Sequence, residues 1–325
     1  MKRIITWGLS YSDYDSQREL FSLIADGEID VIAEVQYVPG ENEIFECRSS
    51  VENAFKLPHD IVIFFDTDEM GVRAELEKAG IDTENEVICD LESLIGDRNS
   101  KILSYQVQII KDLLEASDRQ IGDREWLFNK LGEYGFFPFF KLVKKPQPGV
   151  RYSTCGILQV PDEFVDFCLY LSKLKCHKAI EVGVYKGSSS YVMAALLYRN
   201  NPDLVYEMVD IEDGLVNYDE ISGLIPAIRK RIPCTSADFA GQKYDYCFID
   251  ADHSYGAVME DYRNVGQYAS KMTVFHDVYG HEYDELDGGT VRGWRELREL
   301  NKDKEIIEFS KYPDKWMGLG VIKWM

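Results

Sequence analysis

Four short apolar runs, Ala179–Val182, Val205–Val209, Tyr244–Ile249 and Met272–Phe275, constrain the second half of this chain more than any other feature. Each is of strand length and mostly apolar, interrupted only by Glu181, Glu207, Asp245 or Thr273. Strands of that kind are buried on both faces, which is the environment of a parallel sheet covered by helices. The first run leads into Glu181-Val-Gly183-Val-Tyr-Lys-Gly187-Ser188-Ser189-Ser190 and then a stretch rich in Ala, Leu and Met. Glycines at a strand end permit a tight turn and the close approach of a ligand, and the serines are placed to cap the helix that follows. The expectation is a doubly wound α/β domain of about residues 150–325.

The chain has 325 residues, enough for two domains. In the first hundred, strand-like and helix-like stretches alternate: Arg3–Trp7, Ser16–Ala25 closed by Gly27, Asp30–Val35, Asp60–Phe65, Asp68–Ala79 ended by Gly80, and Glu86–Cys89. This predicts a smaller Rossmann-like α/β domain over residues 1–98. Only Gly8 follows its first strand, so the G-x-G-x-x-G fingerprint is absent and an accessory role is expected. Residues 99–149 are predicted as a helical linker: Ile102, Val107, Ile110, Leu113 and Leu114 fall at helical spacing. An aromatic run, Phe136–Phe140, and the Pro/Gly cluster after Lys144-Lys145 close it. The aromatic run is read as an interdomain core contact rather than a cleft wall.

A net charge of −21 argues against a surface for nucleic-acid phosphates and favours a small-molecule or carbohydrate acceptor. No apolar run is long enough to cross a membrane, and the first residues lack the layout of a secretion signal. Seven scattered cysteines without a C-x-x-C pair suit reduced, structural thiols. A cytoplasmic protein is expected, with homo-oligomerisation left open.

Acids mark the strand ends. Asp210 closes the second apolar run, where a carboxylate can accept both hydroxyls of a ribose. Tyr244–Ile249 delivers Asp250-Ala-Asp252-His253-Ser-Tyr255, and Met272–Phe275 delivers His276-Asp277. Two carboxylates and a histidine from adjacent strand ends can converge on one divalent cation, and the oxygen-rich set favours magnesium or manganese over zinc. In the alternative reading, Asp250 and Asp277 cap following helices. His281 is read as a solvated loop residue.

The E-x-G-x-x-x-G-S-S turn, Val209-Asp210 and Ser236-Ala237-Asp238 resemble class I S-adenosylmethionine-dependent methyltransferases over about Gly156–Met325. That resemblance implies a seven-stranded sheet. It places Glu181, Gly183 and Gly187, with Ser188 and Ser189 in the same turn, around the methionine end of the cofactor, Asp210 on the ribose and Asp238 near the adenine. D-x-D-H-x-Y followed by H-D, together with Gly156-Ile-Leu-Gln159-x-Pro161, is similar to the cephalosporin-hydroxylase-like and macrolide-sugar O-methyltransferase group. The group implies Asp250 and Asp277 as metal ligands with His276 between them, and His253 as general base. Catechol-type relatives carry a lysine at the position of His253. The chain departs from the group in having His276 and Val278 beside Asp277, where a carboxylate or amide is usual. Ligation by His276 would favour manganese or another transition metal.

The expected function is metal-assisted O-methylation of a sugar-like hydroxyl, with Asp252 orienting His253 and raising its pKa. Two alternatives stand beside it. One is a non-catalytic scaffold or carbohydrate-binding protein. The other is a hydroxylase with His253, His276 and one carboxylate on iron. A helix over Val291–Leu300 and a hairpin of Glu305–Phe309 with Leu319–Trp324 complete the predicted fold; Trp316 and Met317 are read as packing residues.

Overall fold

The computed structural model describes the chain apart from residues 10–11, 37–46, 140–145, 282–283, 314–315 and 325, and apart from the side chains of Tyr14 and Trp316. Two compact units emerge, Met1–Ile102 with Phe137–Gly156, and Leu103–Phe136 with Ile157–Met325. The expected linker is therefore divided. Its helical part from Leu103 onward belongs to the second unit, where Arg199 Nη1 donates to the carbonyls of Leu113 and Leu114, both at 3.0 Å, at the end of helix Arg98–Glu115. Its last part belongs to the first unit, where the backbone N–H of Tyr152 and the hydroxyl of Thr154 donate to Asp26 and Glu19. The aromatic run is divided in the same way. Phe136 meets Phe164 edge-on at 6.4 Å in the second unit, and Phe137 meets Phe139 at 5.0 Å in the first. Phe140, Lys144 and Lys145 lie outside the described residues.

The first unit is a parallel sheet in the order β2-β1-β3-β4, built from β1 (Lys2–Trp7), β2 (Ile29–Val35), β3 (Ile61–Phe64) and β4 (Ile88–Asp90). Strand alternation sends Ile4 and Ile63 to one buried face and Ile5 and Val62 to the other. Helices Tyr14–Ala25 and Glu69–Lys78 each start on an aspartate cap, Asp13 and Asp68.

The second unit holds seven strands: β5 (Lys178–Val182), β6 (Val205–Val209), β7 (Ile228–Arg231), β8 (Tyr244–Ile249), β9 (Ala269–Gly280), β10 (Glu305–Phe309) and β11 (Trp316–Lys323). Their order is β10-β11-β9-β8-β5-β6-β7. Strands β5 to β9 pair in parallel, and β11 runs antiparallel to both neighbours. The order reverses between β5 and β8. A crevice opens at such a reversal, outside the carboxyl ends of the strands. Helix Gly289–Leu300 backs the sheet through Trp294, which is 1% exposed and lies 5.7 Å from the Phe275 ring.

Candidate active site

A cavity of about 880 Å³ occupies that crevice. Its volume is in the range of small-molecule sites, ~300–1,000 Å³. Four segments form most of its wall: the turn after β5 (Gly183 to Lys186, Ser188, Ser189), the loop after β6 (Asp210 to Gly214), Cys234 to Ser236, and Asp250 to His253; Leu158 and the helix residues Ala257, Glu260 and Asp261 add to it.

Gly183 leaves β5 at φ +88°, and a Cβ there would stand 2.0 Å from the Asp250 carbonyl oxygen. It is a glycine because the end of β8 crosses directly over it. Gly187, at φ +81°, forms the N-cap of helix Ser188–Asn200 with no side-chain cap bond. The serines therefore do not cap; Ser188 and Ser189 sit within the first turn. Ser188 and Ser189, in the first turn of this helix, line the cavity.

Glu181 lies behind the turn rather than on the cavity surface. It is 1% exposed, accepts the Tyr206 hydroxyl at 2.7 Å, and burial pushes its carboxyl up to about 8, partly offset by Tyr206 and Ser190. Asp210 does line the cavity. Its Oδ2 accepts the N–H groups of Val184 and Tyr185, both at 2.9 Å, and its Oδ1 those of Ile211 and Glu212 at 2.7 and 3.2 Å. It thereby ties the loops after β5 and β6 together. Asp238 does not line the cavity: its carboxylate accepts the Thr235 N–H at 2.9 Å within its own 3-10 turn, leaving Thr235 and Ser236 on the wall.

The acid and histidine residues converge. Asp250 Oδ1 lies 3.3 Å from His253 Nε2 and 3.1 Å from His276 Nδ1, while Asp277 reaches His253 Nε2 at 3.4 Å and His276 Nδ1 at 3.3 Å. The capping alternative does not hold. Ser254 is the N-cap of helix Tyr255–Asn264, and Asp277 sits inside β9, which continues to Gly280.

Adjacent residues of a regular strand point to opposite faces. His276 and Asp277 meet because Asp277 adopts φ +56° and the register of β11 shifts between Met317 and Leu319. A left-handed conformation at a non-glycine residue costs roughly 1–3 kcal/mol and concentrates at functional sites.

Asp252 is not the partner of His253, since its Oδ1 accepts the Ser254 N–H at 2.7 Å; Asp250 and Asp277 hold the imidazole instead. Burial would lower the pKa of His253, but these two carboxylates raise it. Burial opposes the charge on His276 as well, yet Asp250 and Asp277 carry its pKa up to about 9. Asp250 in turn is held below its usual range by the two imidazoles in spite of burial.

Asp250, His276 and Asp277 each bring a ligand atom within 4.8 Å of the others. Ligands at right angles on a cation with bonds near 2.1 Å stand about 3.0 Å apart, so these separations fit one coordination sphere. His276 Nε2 is buried without a hydrogen-bond partner, which leaves Nδ1 as the nitrogen facing the carboxylates. The residues fit a divalent cation with mixed oxygen and nitrogen donors.

Tyr255 turns away, donating to Glu296 at 2.7 Å with Arg292 over its ring, and His281 is 80% exposed. Met317 is buried in the core. The wall also includes residues that were not singled out as site residues, among them Leu158, from the segment before helix Pro161–Leu171, and Asp261, four residues after Ala257 on one helix face. Cys234, expected only as filler, is on the wall too.

A family model described as "Methyltransferase domain" matches residues 180–278. No curated protein matches the chain. Among solved structures, the chain is similar to an O-methyltransferase of tomaymycin synthesis from Streptomyces achromogenes in complex with SAM, at 14% identity over 61% of this chain and 88% of that one, with a TM-score of 0.40. It is similar also to an O-methyltransferase from Bacillus cereus in complex with SAH, at 13% identity over 68% and 99%, TM-score 0.38. A third is an SAH-bound methyltransferase from Podospora anserina, at 11% identity over 52% and 80%, TM-score 0.39. The family match runs from β5 through the His276-Asp277 pair, across every segment that carries the glycine turn, Asp210 and the acid and histidine cluster. A methyltransferase-domain model thus matches residues 180–278, the part of the doubly wound seven-stranded sheet that bears the glycine turn, Asp210 and the acid and histidine cluster.

Proposed function

We propose that this domain transfers a methyl group from S-adenosylmethionine to a hydroxyl of a sugar-like or other small acceptor, with a divalent cation at Asp250, His276 and Asp277 and with His253 as general base. The carrying observation is that His253 and the glycine turn line one cavity, with the acid cluster directly against the imidazole. The methionine carboxylate would sit at the open N-terminus of helix Ser188–Asn200 and the ribose beside the loop after β6. A hydroxyl oxygen of the acceptor attacks the methyl carbon, the carbon–sulfur bond breaks, the electron pair stays on sulfur as a neutral thioether, and the hydroxyl proton passes to His253. Asp250, His276 and Asp277 would hold the cation, which would supply positive charge that lowers the pKa of an acceptor hydroxyl.

All seven cysteines are free thiols, which fits a reducing compartment such as the cytoplasm. No helix among the described residues is long and apolar enough to cross a membrane. Labelled S-adenosylmethionine with a panel of nucleotide sugars and glycosides, in manganese and in EDTA, tests the proposal. Transfer that needs manganese and falls in His253→Gln supports it; absence of cofactor binding by calorimetry refutes it. One observation favours an iron site: both imidazoles face the same Asp250 oxygen. Iron-dependent oxygen consumption without methyl transfer would establish that reading instead.

A further inference from the structure

Seven acids line the cavity, and most are already engaged. Asp210 accepts four backbone N–H groups, Asp213 pairs with Lys230, Asp252 accepts the Ser254 N–H, and Asp250 belongs to the histidine cluster. Glu212 and Glu260 are exposed. Asp261 differs from all of these. It is 8% exposed on helix Tyr255–Asn264 yet contributes to the wall, at the part of the cavity formed by Cys234 to Ser236 and Ala257. Its hydrogen bond is with Ser236, whose hydroxyl accepts Asn264 Nδ2 at 2.9 Å, so the carboxylate is fixed from one side. Burial pushes its carboxyl up to about 6, with Glu260 and Asp252 adding to the effect.

A carboxylate removed from water is costly unless donors replace the lost hydration. One hydroxyl leaves most of its acceptor capacity unused. The missing donor would come from whatever fills the cavity. The loop after β6 carries the acids placed for a ribose, so the next segment across the sheet, after β7, receives the base. Cys234 and Ala257 offer it small, weakly polar surfaces, and the donor a purine presents there is an exocyclic amine.

We infer that Asp261 selects the base of the bound cofactor, its carboxylate accepting a hydrogen bond from the amine at purine C6, an inference that rests on the proposed S-adenosylmethionine site. The assignment moves base recognition from Asp238, which is committed to its own turn, to the helix after β8. A base carrying a carbonyl at C6 would set two acceptors against each other, so the site rejects it.

Calorimetry on the full chain with S-adenosylhomocysteine and with S-inosylhomocysteine, which carries that carbonyl, tests this. Wild-type protein is expected to prefer the adenine ligand roughly 10- to 100-fold, the range for a hydrogen bond to a charged group. In Asp261→Asn the amide can donate to the carbonyl, and the preference is expected to shrink to about 3-fold or to reverse. A wild-type protein that binds both ligands equally overturns the inference without any variant. An Asp261→Asn protein that keeps the wild-type ratio overturns the role of Asp261 alone. Binding of neither ligand by wild-type protein overturns the cofactor site and this inference with it.

Discussion

Gly183→Ala probes how the glycine turn and the acid and histidine cluster depend on one another. At φ +88° an L-residue pays for a left-handed backbone, roughly 1–2 kcal/mol. The new Cβ would also lie 2.0 Å from the Asp250 carbonyl oxygen and 2.6 Å from Ala251 Cα. Both are main-chain atoms, held because Asp250 N–H donates to the Val182 carbonyl at 2.8 Å and Gly183 N–H to that of Val209 at 2.9 Å. The end of β8 has to retreat by about 1 Å to restore contact distance, and overpacking of this kind costs about 1–3 kcal/mol. Destabilisation of about 2–5 kcal/mol follows, a fall in Tm of roughly 4–20 °C by calorimetry or circular dichroism. Asp250 moves with its carbonyl, and a displacement of ~1 Å at reacting groups can cost about 100-fold in rate. Gly187→Ala is the control. At φ +81° it meets only side chains, the Tyr191 ring at 2.7 Å and Leu215 at 2.9 Å, which can yield. It should lose less stability and keep the cluster in place. A Gly183→Ala protein melting within about 2 °C of wild type, or a Gly187→Ala protein damaged more severely, would refute the reasoning.

Four further outcomes are expected. His253→Gln should lower methyl transfer by roughly 10²- to 10⁴-fold while calorimetry shows unchanged S-adenosylhomocysteine affinity; a lost affinity would place His253 in cofactor binding instead. Manganese at about 100 times its Kd should stabilise the wild-type protein by about 2.7 kcal/mol and leave Asp277→Asn unmoved in a thermal melt. Glu181 has a folded pKa of about 8, raised by burial above its ordinary value, so its favourable contribution is complete at acid pH and is lost as pH rises through 8. Glu181→Gln should therefore gain stability over wild type at pH 8.5 relative to pH 5, and equal gains at both values would contradict the buried-acid reading. Arg199→Met leaves the carbonyls of Leu113 and Leu114 without their donor, and denaturant titration should show a loss of about 1–3 kcal/mol.

Much of the second unit's sheet was legible because its strands are mostly apolar: β6 and β8 start and stop where the apolar runs do, and β5 starts one residue earlier, at Lys178. Strand β7 was not. Of its residues only Ile228 is buried, and Arg229, Lys230 and Arg231 are exposed, so this edge strand pairs through its backbone while its side chains resemble a loop. The site divides along similar lines. Residues singled out at strand ends lie close together: Asp210 and Asp250 line the cavity, and Asp277 stands against His253 and His276. Assignments that required knowing what a loop carboxylate bonds to failed, because Asp238 and Asp252 spend theirs on nearby backbone N–H groups. Asp261 escaped notice for the opposite reason: an acid in the middle of a helix looks solvated until the helix is seen against the cavity. The compact units change over at Ile102/Leu103, Phe136/Phe137 and Gly156/Ile157, points that no turn composition marks.

The paired side chains of His276 and Asp277 owe their common direction to the left-handed residue in β9 and the slipped register of β11. The terminal hairpin is thus inherited together with the chemistry. A chimaera that kept residues 250–280 but received a regular hairpin from another protein would restore strict alternation, sending the imidazole through one side of the sheet and the carboxylate through the other. Any graft of this site onto a new scaffold has to carry the irregular pairing with it.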